Sequence, residues 1–112
     1  MKKYHSIKEL EEAQACERNQ TLQEIEKNEG YLRTYRQDMS NIQENFYVMA
    51  AHFGVLDAPE FTMTYNRIVD EVEHNSKMAR REIENLEEDY QNLKVKQNRV
   101  LEDYRDGRDD IN

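Results

Sequence analysis

The chain has 112 residues and a net charge of −8; 36% of its residues are charged, 37% are hydrophobic, and there is no tryptophan. So small a hydrophobic share does not supply a wide globular core. Residues 1–53 hold 7 basic and 9 acidic side chains, and residues 54–112 hold 9 and 15. Neither half offers the basic surface that nucleic acid or an anionic membrane requires.

One proline and three glycines leave few places to break a helix. A polar chain rich in Glu, Lys, Arg, Leu and Gln has the composition of long helices and coiled coils. The expected fold is all-α. It is an antiparallel, coiled-coil-like two-helix hairpin filling residues 1–112, completed as a four-helix bundle by a partner or by a second copy. Cys16 is the sole cysteine, so no internal disulfide exists. The opening Met-Lys-Lys-Tyr-His-Ser starts like a signal peptide but has no apolar run behind it, so none is expected. No stretch is apolar enough for a membrane span. The expected compartment is the cytoplasm, with export by a route that reads no N-terminal signal left open.

In chain order, residues 1–5 read as a frayed tail. Ser6-Ile7-Lys8-Glu9 is a capping box, and helix 1 is expected over about 6–53. Its apolar pattern is Ile25, Leu32, Tyr35, Met39, Ile42, Phe46, Met49 and Phe53. From Leu32 on, the steps alternate between three and four, a heptad seam. Gly30 marks a bend at most. Carried backwards, the register meets Asn28, Thr21, Arg18, Gln14 and Glu11, all polar, with Leu10 and Leu22 beside it.

The turn, 54–57, is the most strongly signalled feature. Gly54 after Phe53 suits a left-handed helix close, with Val55 placed to pack back near Ala50. Asp57 reads as the N-cap of helix 2, with Glu60 completing a capping box and Pro59 in the first turn. Leu56 and Phe61 form a hydrophobic staple. Helix 2 is expected over about 58–106. Its seam is Tyr65, Val69, Val72, Ser76, Ala79, Ile83, Leu86, Tyr90, Leu93, Gln97, Val100 and Tyr104. Gly107 closes it, and 107–112 is a tail.

Folding at the turn sets residue i opposite roughly residue 114 − i. Phe46 is then expected to face Ile68, and Met39 to face Asn75 and Ser76. Away from the turn, the apolar residues of helix 2 meet Arg18, Gln14 and Glu11 of helix 1. A two-helix hairpin also buries only one stripe per helix. Both points predict association. The expected partner anchors are Leu10, Leu22, Leu93, Val100, Leu101 and Tyr104.

Glu71-x-x-His74, with Glu44 nearly opposite, has the spacing of a carboxylate-bridged metal site in a bundle. The register points Glu71 and His74 away from the seam, so no metal or other cofactor is expected. Cys16 falls opposite the seam. His5, His52 and His74 are far apart, and no nucleophile sits beside an oriented base. No enzymatic activity is expected. The run Glu82–Asp89 reads as a solvated face or as an acidic strip for a basic partner helix. Tyr31, Tyr35, Tyr47, Tyr65, Tyr90 and Tyr104 suit either core packing or an interface.

An acidic helical hairpin of this size, turning at His52-Phe53-Gly54, resembles the WXG-type small helical proteins of type VII secretion systems. Here the aromatic residue adjoins the glycine and no tryptophan is present. The family's export motif is Tyr-x-x-x-Asp/Glu; here Tyr104 is followed four residues on by Arg108, and Asp109 comes one position late. With these departures, and with the charged run Arg80–Tyr90, the chain is similar to the small helical targeting factors associated with LXG toxins of type VIIb systems (Lap-type). That resemblance implies a non-catalytic targeting factor or chaperone. It would bind the N-terminal helical LXG domain of a toxin together with a sister small helical protein and deliver both for export. The other expectation is a homodimeric coiled-coil scaffold with no secretion role.

Overall fold

The computed structural model describes residues 6–107. They form two helices, α1 from Ile7 to His52 and α2 from Pro59 to Arg105, folded as an antiparallel hairpin. The expected tails, 1–5 and 108–112, lie outside the described residues.

The ends of the helices follow from local chemistry. Ser6 caps α1: its Oγ accepts from the Glu9 N–H at 3.2 Å and its carbonyl from the Leu10 N–H at 3.1 Å. α1 closes in a Schellman motif. Gly54 has a φ of 69°, its N–H donates to the Ala51 carbonyl, and the Val55 N–H donates to the Ala50 carbonyl at 2.9 Å. Gly107, with a φ of 76°, ends α2 and donates to the Tyr104 carbonyl.

The start of α2 needs a correction. The Ala58 carbonyl accepts from the N–H groups of Phe61 and Thr62, so Ala58 is the N-cap and Asp57 lies one residue outside. Pro59 then takes the first helical position, where its fixed φ is already helical and its missing N–H costs nothing. The proline outweighs the aspartate's capping preference.

The chain divides into two compact units, each made from both helices. A terminal unit joins α1 up to Lys27 with α2 from Glu84 on; a turn unit spans Asn28–Ile83. In the turn unit, Phe46 stacks on Phe61 with ring centroids 5.2 Å apart, and Tyr47 and Tyr65 also meet Phe61. Asn75 Nδ2 donates to Tyr35 Oη at 2.9 Å. Phe46 was expected opposite Ile68. The pairing is shifted toward the turn because Gly54 reverses the chain at the very end of α1, not midway through the connector.

The seam of α2 is covered along its length: Ser76, Ile83 and Gln97 are buried and its other members are half-buried. The seam of α1 is not. Ile25 is buried and Leu32, Tyr35, Met39 and Phe46 are half-buried, but Ile42, Met49 and Phe53 are exposed. Gln43 and Ala50 face inward instead. A strict seven-residue repeat drifts by about 20° per heptad around a straight helix. Over the three heptads from Leu32 to Phe53, that drift carries the repeat off the face that α2 covers.

Ser76 Oγ is buried without a hydrogen-bond partner among the described residues. An unmet buried hydroxyl costs about 1–3 kcal/mol. Ser76→Ala should therefore raise the unfolding free energy by about 1 kcal/mol in a urea titration.

Candidate partner-binding surfaces

The terminal unit was expected to leave an apolar stripe of α2 unanswered. It does not. Leu10 is only 2% exposed and belongs to the hairpin's own core. Leu93, Val100, Leu101 and Tyr104 are half-buried. Of the six expected anchors, Leu22 alone is exposed, at 41%.

The polar seam residues explain the difference. Gln14 and Gln97 are both buried and clasp each other's backbone. Gln14 Nε2 donates to the Gln97 carbonyl at 2.8 Å, and Gln97 Nε2 donates to the Gln14 carbonyl at 3.0 Å. Gln97 Nε2 also donates to Glu17 Oε1, and Gln97 Oε1 accepts from Arg18 at 2.7 Å. The node gives partners to both Nε2 groups and to Gln97 Oε1, so its residues pack as core and add register specificity, as a lone buried amide does in a coiled coil. Gln97→Ala should lower the unfolding free energy by about 1–2 kcal/mol, because it removes three bonds and leaves a void. Gln14→Leu with Gln97→Leu should recover part of that loss in the same urea titration, since both buried amides are replaced by apolar side chains that fill the seam while Glu17 and Arg18 lose their partner.

Uncovered apolar surface is concentrated in the turn unit. Tyr31, Ile42, Met49 and Phe53 are 63%, 50%, 59% and 68% exposed. At about 100° per residue they fall within about 40° of one another on α1. Beside the half-buried Met39 and Phe46 they widen the apolar face of α1 to about 100°, the width of a helix packed on more than one neighbour. α2 covers only part of it.

Two grooves lie on this flank. The one at the turn, about 540 Å³, is lined by Phe46, Met49, Ala50 and Phe53 of α1, Val55 and Ala58 of the connector, and Glu60, Phe61 and Thr64 of α2. The other, about 310 Å³, is lined by Asn28, Tyr31, Leu32, Tyr35, Asn75 and Ala79. Tyr31 and Tyr35 stand about five helical turns before Met49 and Phe53, so both grooves open on one side of α1. The sequence assigns Phe46, Met49, Phe53, Leu32 and Tyr35 to the seam, Val55, Glu60 and Phe61 to the turn, and Tyr31 to core packing or an interface. The spacing of Tyr31, Ile42 and Met49, offset from the face of Met39, Phe46 and Ala50, is the signal that separates the uncovered stripe from the seam.

The other singled-out residues stand apart. Glu71 and His74 are exposed and share a shallow depression with Met63, Asn66, Arg67 and Asp70. Glu44 is exposed on α1. Among the described residues, no group of three His, Cys, Asp or Glu side chains is placed to hold a metal ion. Cys16 is exposed. Within the run Glu82–Asp89 the acidic side chains are exposed and Ile83 is buried. No helix among the described residues is long and apolar enough to cross a membrane. Comparison of the chain with family models, with curated proteins and with solved structures gives no match.

Proposed function

We propose that this chain is a non-catalytic binding protein for another helical protein, and that it serves as a targeting factor or chaperone for the helical LXG domain of a type VIIb secretion toxin. A sister small helical protein completes the complex, and the assembly is delivered for export. The single observation behind the binding role is the uncovered stripe Tyr31, Ile42, Met49 and Phe53, running beside the grooves of the turn unit. Exposed large apolar side chains grouped on one face, here Ile42, Met49 and Phe53 with Tyr31 further along, mark an interaction site. A broad apolar arc on a long helix suits insertion of a further helix, as in a bundle. The class of partner rests on the resemblance of the hairpin and its His52-Phe53-Gly54 turn to LXG-associated factors.

The test is co-expression with an LXG toxin of a type VIIb system. A complex that survives purification supports the reading. A well-folded chain that emerges alone removes it. The self-contained scaffold would instead give a stable homodimer by light scattering, with the toxin absent or present.

A further inference from the structure

The groove has a charged edge as well as an apolar floor. Glu60 lines the groove at the turn. Glu71 and Glu82 follow at intervals of eleven residues, about three turns each, so the three carboxylates form one line along α2. All three are exposed, and none has a charged partner among the described residues. Arg67, one turn before Glu71, does not pair with it. On α1, Asp38 sits within the stripe, between Tyr31 and Ile42, and is exposed and unpaired in the same sense. Arg33 and Arg36 fall on the opposite side of α1 at helical spacing. The two apolar grooves are therefore bordered by an excess of carboxylates, with Arg67, among the described residues, the one cation close to the line Glu60, Glu71 and Glu82.

We propose that this groove selects an amphipathic helix whose apolar stripe is flanked by Lys and Arg. The proposal rests on the reading of the chain as a helix binder and adds the chemistry of what it binds. The apolar stripe supplies affinity, and the line Glu60, Glu71 and Glu82 supplies selection. The same charges disfavour a second copy as the occupant. A symmetric pairing through this face sets like carboxylates against one another in a chain of net charge −8.

Two designed helical peptides of about three heptads test this. They share one apolar stripe and differ only in flanking residues, Lys and Arg in one and Glu in the other. Binding to the full chain is followed by fluorescence anisotropy. The basic peptide should bind at least about tenfold more tightly, with the difference shrinking as salt rises. Glu60→Lys, Glu71→Lys and Glu82→Lys together should reverse the preference and leave the circular dichroism unchanged, because all three side chains are exposed. Equal affinity, or no binding of either peptide by a folded monomer, overturns the proposal. So does a dimer that hides the groove and dissociates on Met49→Glu with Phe53→Glu. A toxin complex that survives the triple charge reversal overturns the charge selection but leaves the binding role standing. A groove that selects the basic peptide while no toxin complex forms overturns the toxin assignment alone.

Discussion

The Ile83→Asp chain should lose its cooperative unfolding transition and most of its helical signal, while Val95→Asp keeps both. Ile83 is buried in α2 and Val95 is 61% exposed on the same helix. Removing Ile83 forfeits about 1.5–3 kcal/mol of apolar burial. An unpaired carboxylate in its place adds a desolvation penalty of several kcal/mol. Single domains are stable by only about 5–15 kcal/mol, and a hairpin with one seam belongs at the low end. Most of its helicity comes from packing and little from intrinsic propensity. Losing the seam therefore melts the helices as well. Circular dichroism with thermal melts on the two variants decides the matter. Equal melting of both would mean that the inter-helix seam is not what holds the fold.

The second large effect concerns binding alone. Ile42→Glu, Met49→Glu and Phe53→Glu together should abolish complex formation with the helical partner, weakening it by roughly a hundred- to a thousandfold. Each side chain is at least half exposed, so the hairpin should remain folded by circular dichroism. Leu22→Glu, in the terminal unit, should leave binding unchanged. The contrast separates the stripe of the turn unit from the terminal anchors suggested by the sequence. Loss of binding with Leu22→Glu, and not with the triple variant, would return the interface to the terminal unit.

Much of the architecture was legible because it is written in local signals. Ser6 with Glu9 and Gly54 with Val55 act within a few residues, and the structure places helix ends there. Asp57 misled because two local preferences competed and Pro59 prevailed. The seam of α2 kept its period from Tyr65 to Tyr104. The seam of α1 did not: an apolar residue on a helix declares that something covers it, without saying whether the cover is its own chain. Ile42, Met49 and Phe53 were read as facing α2 for that reason. Gln14 and Gln97 misled in the opposite sense. A polar residue at a seam position reads as a gap until its hydrogen bonds are seen, and here each glutamine meets the other's backbone. Two misreadings with one origin moved the candidate surface from the terminal unit to the turn unit.

Methionine oxidation by hydrogen peroxide, followed residue by residue by mass spectrometry, tests the central claim most directly. Met49 and Met63 are 59% and 66% exposed, and Met39 is half-buried in the seam. In the lone chain, Met49 should oxidise about as fast as Met63, and both faster than Met39. In the complex with the helical partner, Met49 should become protected while Met63, outside the grooves at the turn and at Tyr31, keeps its rate. A Met49 already protected in the lone chain, or a complex that shields Met63 and leaves Met49 reactive, would contradict the account.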